Sequence, residues 1–270
     1  RENISTKIIT ITGSWGKTSL KEMIGLTLSK ISKTTYSPKS FNNKYGVPLS
    51  LFNLKQNDNF GVFEVGMDKK GEINNLTKII KPDLGIITNI SYAHSKNFKN
   101  IKQIANAKAE IMNNIKSNGT IILNNDDDFF NYHKKFALKK KLKVISFGIK
   151  NKSSKIKLTK IKKIKNKYEL FINVNGTHFT FYSKNNNNSN LYNILATLAS
   201  INLYINIKKL GKDIFLNLET PNGRGNISKI NVENKKIYLV DESYNSNPLS
   251  LRTAIENFEK IESKDSKKYL

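Results

Sequence analysis

Cysteine is absent from the 270 residues. That excludes a disulfide scaffold, a thiolate metal site and a cysteine nucleophile, and it fits a reducing compartment. Arginine occurs only as Arg1, Arg224 and Arg252. No apolar run approaches the roughly 20 residues of a membrane-spanning helix, so no membrane span is expected. Position 1 is Arg, not Met, and no charged-then-apolar leader follows it. The expectation is a chain that begins inside a longer protein. Acid is scarce as well: 21 Asp and Glu stand against 46 Lys and Arg, a formal charge of +25.

A pI near 9.9 ordinarily points to nucleic acid. The shortage of arginine argues otherwise, because arginine is the side chain that reads guanine edges and clamps phosphate with two hydrogen bonds. The lysines run from end to end among Asn and Ile, and the densest stretch, Lys150 to Lys167, lacks the interleaved aromatics of a base-stacking platform. The charge is read as a solvated, lysine-biased surface, and no nucleic-acid partner is expected. Hydrophobic content of 38% with 10% aromatics is enough for a buried core.

Lys7 to Thr12 is a β-branched run, a glycine loop follows, and Leu20, Met23, Ile24 and Leu28 recur at helical spacing. Phe60–Val65 and Leu84–Ile90 read as further buried strands, Ile101–Ile115 as a helix, and Thr120–Leu123 and Lys143–Phe147 as strands. Strands alternating with helices imply an α/β fold: a mainly parallel sheet flanked by helices. From about Ile156 to Tyr182 short alternating runs surround Asn175-Gly176, a hairpin signal, which predicts a small antiparallel β region. A helix is predicted over Leu191–Tyr204, and Pro221-Asn222-Gly223 is a break. Beyond it, a strand at Ile237–Val240 and a helix over Leu249–Ile261 are too little to bury a core, so this second unit reads as cut short.

Gly13-Ser14-Trp15-Gly16-Lys17-Thr18-Ser19 stands between strand and helix, the context of a phosphate-binding loop. Backbone N–H groups there can cradle phosphate, Lys17 can neutralise it, and the Thr18 hydroxyl can ligate Mg²⁺. The pattern is the shorter G-x-x-G-K-T, because Ile11 occupies the first glycine position of the longer motif. Glu64 falls at the end of the second strand and His94 just after the third. Ligands bind outside the carboxyl ends of strands in open parallel sheets, so both are expected beside the loop, where a carboxylate and an imidazole could hold Mg²⁺. Taken singly, either could be an ordinary strand-end or loop residue. Lys108 interrupts an apolar helical face formed by Ile101, Ile104, Ile111 and Ile115. It must be paired, neutral or snorkelling outward. Held neutral at the metal edge, it could take up CO₂ as a carbamate and supply an anionic oxygen.

These segments, in order, resemble the Mur ligase family: Ile11–Met23, Ser40–Leu51, Phe63–Ile73, Asn89–Phe98, Ile104–Ile111, Asn190–Ala199, Gly223–Gly225 and Val240–Glu256. The resemblance is nearest the branch that joins D-alanyl-D-alanine to UDP-N-acetylmuramoyl-tripeptide, and it covers nearly the whole chain. It implies that residues 1–221 are the central ATP-binding domain and residues 222–270 the incomplete start of a Rossmann-like C-terminal domain. It implies ATP and two Mg²⁺ ions, and an acyl-phosphate intermediate on the way to an amide.

Residue by residue, the resemblance makes Lys17, Lys108, His94 and Arg224 catalytic. It makes Thr18, Glu64, His94 and carbamylated Lys108 the metal ligands. Nucleotide binding falls to Gly13–Ser19, Asn190, Asn193, Arg224 and Asp241. Asn42, Asn43, Tyr244 and Asn245 border the substrate. Ser189 and Glu242 depart from the pattern at nucleotide-contact positions. A monomeric cytoplasmic enzyme, inactive as this segment alone, is the expectation. The alternatives are another ligase of the superfamily, akin to folylpolyglutamate synthase or cyanophycin synthetase, or a basic nucleic-acid-binding P-loop protein.

Overall fold

The computed structural model describes residues 5–92, 97–218, 221–232, 235–244, 248–259, 261 and 267–269. The chain divides into two compact units, residues 1–218 and 219–270.

The first unit opens with β1 (Lys7–Thr12), α1 (Lys17–Ser29), β2 (Thr34–Tyr36), α2 (Gly46–Phe52), β3 (Phe60–Glu64), α3 (Glu72–Ile80) and β4 (Leu84–Ile87). It continues with α4 (Ile101–Ala109), β5 (Thr120–Asn124), α5 (Phe130–Lys139), β6 (Lys143–Gly148), β7 (Ile156–Ile164), β8 (Lys167–Val174), β9 (Thr177–Ser183) and α6 (Asn188–Ile201). All nine strands form one sheet in the order β2-β3-β1-β4-β5-β6-β7-β8-β9. Pairing is parallel from β2 through β7 and antiparallel across β7, β8 and β9.

Because successive side chains of a strand face opposite ways, β1 feeds both cores. Ile9 and Ile11 pack with α1 and α6 on one face, and Ile8 packs with α2, α3, α4 and α5 on the other. A strand covered on both sides is buried along its length, and Ile8 to Thr12 are all buried, the two threonines included. The antiparallel arm is closed by Asn175 and Gly176, both at positive φ (50° and 91°), as the hairpin reading required.

Several elements differ from the sequence reading. β4 stops at Ile87, not Ile90, because Thr88, Asn89 and Ser91 bond the glycine loop and Ile90 N donates to Asp127 Oδ2. The expected helix over Ile101–Ile115 ends at Ala109 and tightens into a 3₁₀ turn, Glu110–Asn113. There the Glu110 carboxylate turns away to accept from the backbone N–H groups of Gly71 and Asn74 at the start of α3. α6 begins three residues earlier than expected, where the Asn187 side chain accepts from Asn190 N and caps it.

The second unit comprises β10 (Asn226–Val232), β11 (Lys235–Asp241) and α7 (Pro248–Glu259). The strand expected at Ile237–Val240 is thus the second arm of an antiparallel hairpin. Ile227, Ile237 and Leu239 of that hairpin are exposed.

Candidate active site

β1 delivers the chain into the glycine loop at its carboxyl end. Gly13 has φ 152°, and a Cβ there would lie 1.8 Å from Thr88 Oγ1, so no side chain fits. Gly16 takes the left-handed conformation (φ 77°) and caps α1 without a side chain, and the first turn of α1 carries no acid. A helix start of this kind is an anion site by its exposed N–H groups and its dipole.

The loop is stitched to the segment that follows β4. Ser14 N donates to Asn89 O (3.0 Å) and Trp15 N to Asn89 Oδ1 (3.2 Å). The Asn89 amide and the Thr88 hydroxyl both donate to Trp15 O, at 3.1 and 2.8 Å. Ser14 Oγ accepts from Ser91 N (2.8 Å) and donates to Ser91 O (3.1 Å). Asn89 and Ser91 lie in the segment Asn89–Phe98 that carries the resemblance, and Thr88 just before it, but sequence reasoning assigned none of the three a role. The amides of Ser14 and Trp15 are therefore committed to Asn89.

Glu64 reaches the loop through strand register. β3 pairs with β1 so that Glu64 lies opposite Ile11, at the same edge as the glycine loop. The carboxylate is buried (1% exposed). Its Oε2 accepts from Thr18 Oγ1 and its Oε1 from Asn42 Nδ2, each at 2.7 Å. The expected meeting of Glu64 with the loop is thus present. His94 lies outside the described residues.

Lys108 is also buried (1% exposed), and its Nζ donates to Gly13 O at 2.8 Å. Lys17 Nζ donates to the same oxygen at 3.0 Å. Burial first, and the Lys17 charge second, hold Lys108 well below the ordinary lysine range. The residue that broke the apolar stripe therefore ends at the phosphate loop and favours its neutral form.

A small pocket adjoins the loop, lined by Trp15, Gly16, Asn124, Phe147, Tyr192 and Asn193 among others. Tyr192 donates its hydroxyl to Asp126 Oδ2 (3.0 Å), and burial and that carboxylate push the phenol above its usual range. Asp126 in turn accepts from the backbone N–H groups of Ile149, Lys150 and Asn151. Phe147, Tyr192 and Asp126 escaped the sequence reading because each looks like ordinary core or loop. Asn193 lines the pocket, whereas Asn190 turns its amide to Ser183 Oγ (2.9 Å). Asn43 spends its side-chain oxygen on Gly46 N (2.9 Å) and Tyr45 N (3.1 Å) at the start of α2.

In the second unit the two signature segments pack on each other. The Arg224 guanidinium stacks over the Tyr244 ring at 4.2 Å. Gly223 has φ 73°, and a Cβ on it would come within 2.8 Å of Tyr244 Cβ. Asp241 Oδ1 accepts from Ser243 N (3.0 Å), and hydrogen bonds from Ser243 lower its carboxyl. Burial raises Glu242, against the pull of Arg224. Asn245 lies outside the described residues.

The Thr18 hydroxyl and Glu64 carboxylate suit Mg²⁺: they are hard oxygen donors beside a helix start. Among the described residues no cluster of three or more His, Cys, Asp or Glu is present. That fits an ion that keeps waters and phosphate oxygens and needs only one or two protein carboxylates.

A phosphate loop at a parallel-sheet edge, with a buried carboxylate and a buried lysine turned on it, defines a nucleotide-dependent α/β enzyme of the P-loop kind. The profile of the Mur ligase middle domain matches residues 11–201, and the chain belongs to the Mur ligase family. It is 36% identical over 97% of its length to the UDP-N-acetylmuramoyl-tripeptide–D-alanyl-D-alanine ligase of Buchnera aphidicola subsp. Acyrthosiphon pisum (strain APS), covering 56% of that protein. Among solved structures it matches MurF from Acinetobacter baumannii with a TM-score of 0.86 at 28% identity, over 97% of this chain and 56% of that one. A MurF ligase from Thermotoga maritima in complex with ADP matches with a TM-score of 0.82 at 26% identity, over 97% of this chain and 59% of that one. The chain thus spans little more than half the length of these relatives.

Proposed function

We propose that these residues form the ATP-binding part of a ligase that joins D-alanyl-D-alanine to UDP-N-acetylmuramoyl-tripeptide. The observation that carries the reading is the Thr18–Glu64 pair beside the Lys17–Gly13–Lys108 cluster, one hydroxyl, one carboxylate and two amines around a helix start. Residues 1–221 act as the central ATP-binding domain, and 222–270 begin the C-terminal one.

Phosphates of ATP enter at the start of α1, met by N–H groups from Gly16 onward, since those of Ser14 and Trp15 are committed to Asn89. Lys17 swings from Gly13 O to the phosphates and offsets charge as the γ-phosphoryl group moves to the tripeptide carboxylate. The acyl phosphate so formed is attacked at its carbonyl carbon by the amine of D-alanyl-D-alanine, and phosphate leaves. Mg²⁺, when bound by Thr18 and Glu64, neutralises phosphate charge. A second Mg²⁺ falls to His94 and Lys108. Burial favours the neutral amine of Lys108, which can add to CO₂ to give a carbamate and a proton. Asn193 and Tyr192 face the base side of the nucleotide, and the resemblance assigns Asp241 to its ribose and Arg224 to its phosphates. Asn42, Asn43, Tyr244 and Asn245 border the peptide substrate.

No helix among the described residues is long and apolar enough to cross a membrane. We place the enzyme in the cytoplasm as a monomer, active only with the remaining domains of its relatives.

The test is phosphate release from ATP in a polypeptide of the relatives' full domain composition that carries these residues. Release that needs both the tripeptide precursor and D-alanyl-D-alanine supports the reading. Release driven by glutamate with a folate acceptor overturns it in favour of a folylpolyglutamate-synthase-like enzyme. In the same polypeptide Lys108→Ala should lose activity, partly restored by Lys108→Glu or added short carboxylic acids. Full activity in Lys108→Ala sinks the carbamate.

A further inference from the structure

Lys21 lies inside α1, its side chain 0% exposed. An ammonium has three N–H donors, and here each has an acceptor: Glu22 Oε1, Ser37 O (2.6 Å) and Lys39 O (2.8 Å). Two of the three are main-chain carbonyls of the segment that leaves β2. That segment is an arc. Lys39 sits in the left-handed region (φ 46°), unusual for a lysine, with its carbonyl turned to Lys21. Phe41 N closes a turn onto Pro38 O (3.1 Å).

The far end of the arc is the candidate metal site. Gly66 N donates to Asn42 O at 2.8 Å, and a Cβ on Gly66 would meet the Asn42 side chain at 3.0 Å, so the two segments touch at backbone distance. Asn42 Nδ2 then holds Glu64 Oε1 (2.7 Å), and Ser37 Oγ accepts from Glu64 N (3.4 Å). The carboxylate is fixed by Asn42 on one oxygen and shared with Thr18 on the other.

We propose that Lys21 is a positioning residue: it clamps the arc 37–42 to α1, and through Asn42 the arc aims Glu64 at the cation that accompanies the nucleotide. Lys21 touches neither nucleotide nor cation. Its role rests on the reading that Thr18 and Glu64 hold Mg²⁺. Groups beyond a metal's own ligands commonly change metal affinity by about 10- to 100-fold when lost.

Trp15 is the only tryptophan of the chain and lines the pocket beside the loop, so its emission reports nucleotide binding without turnover. The experiment titrates the 270-residue chain with ATP in Mg²⁺ and in EDTA, and takes the ratio of the two affinities. Lys21→Met should lower that ratio about tenfold while leaving the affinity in EDTA unchanged. Asn42→Ala should lower it similarly, and the double variant should lose no more than either alone, because both act on one arc. An unchanged ratio in Lys21→Met, or losses that multiply, overturns the proposal. Equal losses in Mg²⁺ and in EDTA also overturn it, since a loosened fold does not distinguish the two. If Lys21→Met lacks a cooperative melt, Lys39→Val, whose β-branched side chain disfavours the left-handed φ that turns this carbonyl to Lys21, loosens the same arc with the ammonium kept. A wild-type ratio there overturns the proposal equally. A wild-type chain that binds ATP with no Mg²⁺ effect refutes instead the metal reading beneath it.

Discussion

Lys17 and Lys108 direct their Nζ atoms at one acceptor, the carbonyl oxygen of Gly13, at 3.0 and 2.8 Å. The two amines differ in what surrounds them. Lys17 is partly exposed at the helix start, whereas Lys108 is buried and disfavours its charged form. Their replacements should therefore separate. Lys17→Met should weaken ATP binding about tenfold or more, the loss of one charge-assisted bond. Lys108→Met should raise the stability of the unliganded chain by on the order of 1–2 kcal/mol, because it removes a desolvated amine from the core. Thermal melts and Trp15 titrations check both, and a Lys108→Met chain that melts below the wild type contradicts the burial argument.

The glycines of the phosphate loop and of the hairpin have positive φ for different reasons. At Gly13 a Cβ would sit 1.8 Å from Thr88 Oγ1, while at Gly176 nothing lies within 4 Å. Gly13→Ala should cost about 3 kcal/mol or more, since overpacking adds to backbone strain. Gly176→Ala should cost only about 1 kcal/mol of left-handed strain. Urea unfolding measures both, and equal losses would mean that the contact with Thr88 does not constrain the loop.

Asp126 gathers three main-chain N–H groups and the Tyr192 hydroxyl. Asp126→Ala strands the three amides together, so about 3 kcal/mol of stability should be lost. Tyr192→Phe removes one bond and should cost about 1 kcal/mol. A Tyr192→Phe loss as large as that of Asp126→Ala, in urea unfolding, would show that the phenol and not the loop amides makes the carboxylate matter.

How much of this was open to a sequence reading follows from what each feature depends on. The strand, glycine loop and helix at 7–29 are local, and β-branching, positive-φ glycines and helical spacing announce them. Lys108 was found because a charge in an apolar stripe needs a reason. Lys21 escaped because one lysine beside Glu22 in a helix looks like surface, and only the arc from residues 37 to 39 buries it. β7 lay inside the β region expected from about Ile156 but received no bounds of its own, because lysines at Lys157, Lys160, Lys162 and Lys163 blur its alternation, and β2 escaped because it is three residues long. Thr88, Asn89 and Ser91 act through partners in the glycine loop 73 to 77 residues away. No spacing rule reaches that far; strand order supplies it.

His133 offers a pH test that leaves the phosphate loop untouched. It is 2% exposed on α5, with its Nε2 3.1 Å from Ala105 O. A carbonyl only accepts, so Nε2 carries the hydrogen of a neutral ring. Burial lowers its pKa from 6.5 to about 4 despite the bond to Ala105. With the folded value below the unfolded one, the unfolded chain binds more protons between the two. Stability is thus fully present above about pH 6.5 and is lost as pH falls toward 4, by up to about 3 kcal/mol from this ring. His133→Phe keeps an aromatic beside Phe129 and Tyr132 but cannot titrate. Urea unfolding of both chains from pH 7 to pH 4 isolates the ring, since the carboxylates are common to the two. The wild-type curve should fall away from the variant's across that window, and parallel curves would mean that His133 is protonated in the folded chain.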